Sequence, residues 1–173
     1  MSLLKKQNNI NIPQFIVEDI EKQKEILLNK LYPFAPKKIL AVTGTNGKTS
    51  VVWYVSKLLN NLKIKNKTIG TLGYYINGIK YADNPLTTPA YEELIKNSFS
   101  KKKNNSHFVF EASSHSLHQK RLKNLSIDVA VLTNITNDHL DYHITKAEYK
   151  KSKLALFKKH LKKDGIAIIN SSI

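Results

Sequence analysis

The sequence predicts an α/β fold in which helices cover a mostly parallel sheet. Short apolar runs that suit strands alternate along the chain with segments whose apolar residues recur at helical spacing. The clearest unit is the apolar run 38–43 (KILAVT), which is followed by a glycine turn at 44–47 and by a helical pattern that begins at Lys48. A strand, a turn and a helix in this order begin a βαβ unit, and such units build a parallel, doubly wound sheet.

Length and composition indicate a globular chain of one domain and little more. It has 173 residues, of which 41% are hydrophobic and 24% charged, values that exclude collagen-like, mucin-like and wholly disordered chains. No apolar run approaches the roughly 18 residues that span a bilayer, and no apolar stretch of a secretory signal follows Met1. We therefore expect no membrane span and a cytoplasmic location. Because cysteine is absent, any metal must be held by oxygen or imidazole.

The net charge of +15 would by itself suggest a polyanionic partner such as nucleic acid. The distribution argues against this partner, because the lysines are scattered from Lys5 to Lys163 and the one tight cluster, 101–103, lies in a polar, loop-like stretch. Nucleic-acid readers rely on arginine for bidentate contacts, and Arg121 is the one arginine in the chain. The pattern favours a solvated lysine-rich surface and no nucleic-acid partner.

The segment before the glycine turn resembles an appendage. Residues 1–11 are polar, and residues 12–17 suit a short strand. Residues 18–32 place apolar side chains at helical spacing, and Pro33 and Pro36 would end that helix. We expect a strand and a helix that a proline-containing linker joins to the next unit.

After the turn the alternation continues. The helix that begins at Lys48 is predicted to bury one apolar face, formed by Val51, Val55, Leu58, Leu59 and Leu62. A strand is expected at 68–71, and then a hairpin at 73–81 that turns at Asn77-Gly78. Thr88 is the predicted N-cap of the next helix, with Pro89 at its first position.

The remaining elements complete the predicted sheet. Strands are expected at 107–111 and 129–132, and a helix at 146–162 that Asp164-Gly165 would close. A last strand is expected at 166–169.

The segment 43–50 (TGTNGKTS) lies between a buried strand and a helix, where a phosphate-binding loop belongs. Gly44 and Gly47 allow backbone N–H groups to surround a phosphate, Lys48 supplies positive charge, and the Thr49 hydroxyl is suited to ligate Mg²⁺. The usual spacing requires a glycine where Val42 stands. The alternative, a glycine turn that merely caps a helix, explains the glycines but leaves Lys48 and Thr49 unexplained.

Two groups of polar residues follow predicted strands directly. Glu111 ends one strand, and the segment 133–143, which contains His139, follows another. Ligands of open α/β sheets bind at the carboxyl ends of the strands, so both groups are expected beside the phosphate loop, where Glu111 could hold magnesium. The alternatives are that Glu111 caps the next helix and that His139 is a partly buried, hydrogen-bonded histidine.

Lys153 is predicted on the inward face of the last helix. It follows Tyr149 by four residues and precedes Leu156 and Phe157 by three and four. A lysine at such a position is either functional or extends its ammonium group to solvent. Lys150 also borders the apolar face, so spacing alone leaves both alternatives open.

Five motifs in this order resemble the Mur ligases, and within them the branch that extends a UDP-muramoyl dipeptide. They are GTNGKTS, TTP, E-x-SSH-x-L-x-Q-x-R, NDHLDYH and Y-x-x-x-K, and they span residues 43–153. The resemblance implies a three-layer P-loop NTPase-like central domain, here incomplete. It further implies that residues 1–36 are the tail of an N-terminal UDP-binding domain with its linker, that 37–173 begin the central ATPase domain, and that the chain is a fragment.

The resemblance also implies the reaction. In that family ATP phosphorylates the carboxylate of a UDP-muramoyl peptide, and the amine of an amino acid attacks the acyl phosphate, in peptidoglycan synthesis. Cofactors would be ATP and Mg²⁺; partners would be the UDP-muramoyl peptide and an amino acid, with the full enzyme a monomer.

Residue roles carry over by position. ATP would contact the loop residues Gly44, Thr45, Asn46, Gly47, Lys48, Thr49 and Ser50. One magnesium would lie at Thr49 and Glu111, and a second at His139 and Lys153, which matches the lysine that the family carbamoylates. The catalytic set would be Lys48, Glu111, His139 and Lys153, and the muramoyl peptide would contact Thr87, Thr88, Ser113, Gln119 and Arg121.

Two alternatives remain at this point. One is a stand-alone nucleotide-binding remnant without ligase activity. The other is a folylpolyglutamate-type ligase, which typically has GTNGKGS, whereas this chain has Thr49 together with the TTP and SSH motifs.

Overall fold

The computed structural model describes residues 9, 11–14, 16–136 and 145–171. In these residues seven strands form one sheet, and helices lie before and between them. The strands are β1 (Ile39–Thr43), β2 (Asn66–Gly70), β3 (Gly73–Ile76), β4 (Ile79–Ala82), β5 (His107–Glu111), β6 (Ile127–Leu132) and β7 (Leu161–Ile169). The α-helices are α1 (Ile20–Leu31), α2 (Lys48–Asn61), α3 (Tyr91–Ser98), α4 (Ser114–His118) and α5 (Lys146–Ala155), the last continued by a π-helical turn, Leu156–His160.

The sheet is mostly parallel, as the alternation of elements predicts. Its strand order is β4-β3-β2-β5-β1-β6-β7, in which β2, β5, β1, β6 and β7 run parallel and β3 and β4 form an antiparallel hairpin at one edge. The hairpin turns at Asn77 and Gly78, both with positive φ (51° and 80°), as the Asn-Gly signal predicts. The parallel register places the carboxyl ends of β5, β1 and β6 side by side.

Apolar clusters on the two faces of the sheet create three layers. On one face Val42 and Val109 pack with Val52 of α2. On the other face the larger cluster contains Phe108 and Phe110 from the sheet, together with side chains of α3, α4 and the π-helical turn. This arrangement confirms the expected three-layer architecture.

Helix α2 forms where predicted, and its inward face agrees with the prediction in part, because Val51, Val55 and Leu59 pack against the cluster of Val42, Val52 and Val109. Val52 and Ser56 are buried, whereas Leu58 and Leu62 are 61% and 69% exposed. Ser56 occupies the interior because its hydroxyl donates to Asn66 Oδ1 at 2.9 Å. Apolar spacing alone could not identify a polar residue as the inward position.

The prediction for the first segment is half right. Helix α1 begins after Asp19, whose side chain accepts a hydrogen bond from the Lys22 backbone, and it buries none of its residues. The predicted strand at 12–17 is wrong for the residues described there, which have no strand structure. Leu28 of α1 packs against the larger core cluster, most other apolar residues of the helix are exposed, and ion pairs such as Lys123 with Glu21 also connect it to the rest of the chain.

The predicted helix cap at Thr88 is also wrong. Helix α3 begins at Tyr91 with Ala90 at the N-cap, and it has no side-chain cap. Thr88 instead donates to the backbone carbonyl of Glu111 at 2.7 Å and accepts from the backbone N–H of Ser113 at 3.0 Å. The Thr88 hydroxyl thus both donates and accepts in tertiary hydrogen bonds. The prediction had assigned this hydroxyl to the cap of the helix.

The last helix is shorter than predicted, and the last strand is longer. Helix α5 ends at Ala155, the π-helical turn follows, and β7 begins at Leu161, so Asp164 and Gly165 lie within the strand and do not close a helix. The pairing of Leu161 with Ile127 recruits this segment to the sheet. Among the described residues, no helix is long and apolar enough to cross a membrane.

Candidate active site

The candidate site lies at the carboxyl ends of β5, β1 and β6. The loop that follows β1 connects directly to α2, and Glu111 ends β5 beside it. Residues that follow β6 complete one wall. Parallel pairing therefore gathers groups that are far apart in sequence, as predicted for an open α/β sheet.

Both loop glycines have backbone conformations that favour glycine. Gly44 has φ of +151° and Gly47, at the N-cap of α2, has φ of +83°. A Cβ atom at residue 44 would overlap the Thr133 hydroxyl. The loop can therefore lie against the end of β6 only with glycine at this position.

Three further contacts hold the loop against the residues after β6. The backbone N–H of Thr45 donates to the carbonyl of Asn134 at 3.0 Å, and that of Asn46 donates to Asn134 Oδ1 at 3.0 Å. The Thr133 hydroxyl donates to the carbonyl of Asn46 at 2.6 Å. The sequence pattern did not single out Thr133 or Asn134 as loop supports; their position directly after a strand was the available signal.

Two lysine ammonium groups meet at one loop carbonyl. Lys48 Nζ donates to the carbonyls of Gly44 at 3.0 Å and Thr45 at 2.8 Å, and Lys153 Nζ donates to the same Gly44 oxygen at 2.6 Å. Lys153 is only 1% exposed, so its ammonium does not extend to solvent. The convergence of two cations at the loop makes this end of the sheet suited to bind an anion.

Tyr149 supports this arrangement from α5. Its hydroxyl lies 2.9 Å from Thr45 Oγ1, and Lys153 Nζ lies 4.4 Å from the centre of its ring. A cation over an aromatic face is stabilised by the ring quadrupole, more strongly when it is shielded from water. Helical spacing predicts the inward position of Tyr149, but not its bond to the phosphate loop.

Glu111 is buried and accepts hydrogen bonds on both carboxylate oxygens. Thr49 Oγ1 donates to Oε2 at 3.0 Å, and the backbone N–H of Thr71 donates to Oε1 at 2.7 Å. A side chain at Gly70 would overlap the carboxylate, so the glycine permits this close approach. Helix α4 is capped by Ser113, which excludes Glu111 as its cap.

The oxygen pair formed by Thr49 and Glu111 fits a magnesium site. Adjacent ligands of an octahedral Mg²⁺ at its usual 2.0–2.1 Å lie about 2.9 Å apart. The observed separation of Thr49 Oγ1 and Glu111 Oε2 is 3.0 Å. Within the described residues no group of three or more histidine, cysteine and acidic side chains could hold a metal, so a hydroxyl and one carboxylate are the donors available here.

Four of the residues matched to the muramoyl peptide are joined by hydrogen bonds, and the fifth, Thr87, connects to them through Thr71 and Glu111. Arg121 donates from Nη1 to the carbonyl of Thr88 at 2.8 Å and from Nε to Gln119 Oε1 at 2.8 Å. Thr88 in turn contacts the backbone of Ser113, and Thr87 lies 3.2 Å from Thr71 through their hydroxyl oxygens. All five residues therefore connect to the surroundings of Glu111.

Two predicted residues are not part of the contacts described above. Ser50 is exposed in the first turn of α2. His139 lies outside the described residues, so its predicted role beside Lys153 stays a prediction.

Fold and site together define a domain with a P-loop-like fold, in which a loop after a buried parallel strand faces a carboxylate on the neighbouring strand. Residues 42–173 match the family described as Mur ligase middle domain, and the chain belongs to that family. This result confirms the family resemblance carried by the five motifs.

Known relatives agree with this assignment. The chain is 44% identical over 172 residues to a UDP-N-acetylmuramoyl-L-alanyl-D-glutamate--2,6-diaminopimelate ligase of Rickettsia bellii, an alignment that covers 97% of this chain and 36% of the relative. A solved structure of a ligase with the same name aligns with a TM-score of 0.71 and 34% identity, and covers 87% of this chain and 30% of that one. The chain thus spans about a third of the length of these relatives.

A more distant structure shows the same fold. The MurF ligase of Thermotoga maritima in complex with ADP aligns with a TM-score of 0.64 and 22% identity, over 96% of this chain and 35% of that one. At this identity the likeness concerns the fold alone.

Proposed function

We propose that the chain supplies the ATP site of a ligase that joins an amino acid to a UDP-muramoyl dipeptide through an acyl phosphate. The relatives are named as diaminopimelate ligases, and we propose the same class of amino acid. Residues 37–173 would form the beginning of the central ATPase domain and residues 1–36 the end of the preceding one. Because ATP and a UDP-linked substrate are used, we assign the reaction to the cytoplasm and expect a monomeric full enzyme.

The observation that carries the proposal is the phosphate loop facing Glu111. Thr49 belongs to the loop and donates to Glu111, so the loop and the carboxylate form one site. A glycine turn that only caps a helix would not require this contact across two strands.

Phosphate binding would redirect the Lys48 ammonium. It now contacts the carbonyls of Gly44 and Thr45, which are weak substitutes for an anion. Backbone N–H groups of the loop and the start of α2 would hold the phosphates, and Lys48 would turn towards the β- and γ-phosphate oxygens.

Magnesium, when bound at Thr49 and Glu111, would offset the repulsion between the triphosphate and the substrate carboxylate. The Thr49 hydroxyl donates its proton to Glu111, which leaves its lone pairs for a cation. Glu111 has no solvent contact that would compete for its oxygens, since it is 1% exposed.

Lys153 would act as a carbamate. The Lys153 ammonium would first lose one proton to give the neutral amine. Addition of that amine to CO₂ forms an N–C bond and releases a second proton, so that a cation is replaced by an anion with two oxygens. Lys153 is buried, and its ammonium contacts the same Gly44 carbonyl as the ammonium of Lys48. Carbamate formation would remove the repulsion between these two positive charges, which supports the proposed change. The carbamate and His139 would serve a second magnesium.

Arg121 would orient the muramoyl peptide. Its Nη1 and Nε already bind Thr88 and Gln119, so its planar guanidinium is held in place before substrate arrives. Its other N–H groups are suited to a phosphate or carboxylate of the substrate.

Calorimetric titration of ATP into the chain with MgCl₂ tests the proposal. Lys48→Ala should weaken binding by at least about tenfold, which corresponds to about 1.4 kcal/mol. Lys30→Ala is the matched control, because Lys30 is an exposed lysine of α1, outside the phosphate loop, and its loss is expected to leave the affinity unchanged. Equal affinities of the two variants would refute the phosphate-loop assignment.

A further inference from the structure

Thr71, the residue directly after β2, contacts the candidate magnesium carboxylate from two directions. Its backbone N–H donates to Glu111 Oε1 at 2.7 Å, and its hydroxyl lies 3.3 Å from Oε2 as a donor. The same hydroxyl lies 3.2 Å from that of Thr87. None of the five sequence motifs includes this residue.

The number of hydroxyl protons determines which residue donates and which accepts in this series of hydrogen bonds. Each threonine hydroxyl has one proton to donate and can accept two hydrogen bonds. A carboxylate only accepts, so Thr71 donates to Glu111 and Thr87 can donate to Thr71. Thr49 donates to Oε2 of the same carboxylate.

Without the Thr71 hydroxyl, the backbone N–H of Thr71 would still hold Oε1, and Thr49 would hold Oε2. The terminal torsion of a glutamate is broad, so the orientation of Oε2 would then depend on Thr49, whose hydroxyl must also serve the ion. The two donors of Thr71 hold both oxygens and thereby set the plane that faces Thr49.

We infer that Thr71 is a positioning residue that orients Glu111 for a magnesium ion shared with Thr49, and that it connects this ion to the substrate residue Thr87. The inference rests on the proposed function, since it requires ATP and Mg²⁺ at this site. Residues that orient a metal ligand typically change metal affinity about 10- to 100-fold when replaced.

Two variants distinguish the contribution of the Thr71 hydroxyl from the contribution of the rest of the residue. Thr71→Val keeps the shape and the backbone N–H but removes the hydroxyl, whereas Thr71→Ser keeps the hydroxyl. Thr71 is exposed, so neither change disturbs the core, and circular dichroism melting of both variants verifies that they fold.

The measurement is the dissociation constant of ATP in EDTA and in saturating MgCl₂. Trp53 provides the signal, because it is the single tryptophan and lines a small cavity together with Thr49 and Glu111. Calorimetry checks the fluorescence result. The ratio of the two constants is the factor by which Mg²⁺ strengthens ATP binding.

Thr71→Val should lower this Mg²⁺ factor by about tenfold and leave the dissociation constant in EDTA within about twofold, whereas Thr71→Ser should retain the factor. An unchanged Mg²⁺ factor in Thr71→Val, or an equal loss of affinity with and without Mg²⁺, would overturn the role of Thr71 while the ATP site stands. Absence of ATP binding in the unmodified chain would instead refute the proposed function itself.

Discussion

Asp128 of β6 joins three strands, and its replacement should lower the free energy of unfolding in a way that depends on pH. Its Oδ2 accepts from the backbone N–H of Ile39 at 2.8 Å, and its Oδ1 accepts from Lys38 at 3.0 Å and Lys162 at 2.9 Å. These partners lie in or beside β1 and in β7, the two strands that flank β6.

The contacts set the expected magnitude. Asp128→Ala leaves the buried Ile39 N–H without its acceptor, at a cost of about 1–3 kcal/mol. The two lysines are 58% and 41% exposed in their side chains, so each ion pair adds no more than about 1 kcal/mol. We expect a total loss of about 2–4 kcal/mol for Asp128→Ala and about 1–2 kcal/mol for Asp128→Asn, which keeps an acceptor for Ile39.

The pH dependence follows from the direction of the pKa shift. Burial alone raises the pKa of Asp128, but hydrogen bonds from Lys162, the Ile39 backbone and Lys38 outweigh it and leave the pKa below its ordinary value. The carboxylate therefore contributes stability above its unfolded pKa of about 3.9, and loses it as the pH falls through the lower folded pKa. The difference between the unmodified chain and Asp128→Asn should shrink below about pH 4.

Urea unfolding followed by circular dichroism at several pH values measures these differences. Asp83→Asn is the matched control, because Asp83 also pairs with a lysine, Lys80, but is 92% exposed. Its unfolding midpoint should not change measurably. A difference between the unmodified chain and Asp128→Asn that stays constant from pH 7 to pH 3 would refute the reasoning.

Two further predictions concern the proposed ligase. Arg121→Lys in the full-length enzyme should raise the KM for the UDP-muramoyl peptide about tenfold and leave the KM for ATP unchanged. The reason is that lysine cannot replace the guanidinium fork that binds Thr88 and Gln119. Equal steady-state constants for the unmodified enzyme and the variant would contradict this prediction. Lys153 should give a carbamate signal in ¹³C NMR after incubation with ¹³C-bicarbonate, and Lys153→Met should lack it; a spectrum without that signal in the unmodified enzyme would rule out the carbamate.

Local features of the sequence predicted most of the element types and the kind of site that they build. Apolar runs placed β1, β5 and β6 to within about two residues, because short, buried strands have a clear apolar signature. The loop glycines, Lys48 and Thr49 predicted a phosphate site, since few other structures require these residues in this order.

Tertiary structure decided which side chains meet. No local sequence pattern predicts the partners of Thr71 and Thr133, yet they contact Glu111 and Asn46 because strand order brings their segments together. The inward position of Ser56 and the direct contact of Thr88 with the end of β5 likewise depend on partners distant in sequence. The local spacing of apolar residues indicates whether a segment tends to form a helix or a strand. A hydrogen bond between distant segments depends on how the sheet aligns them, and that alignment is a property of the whole fold.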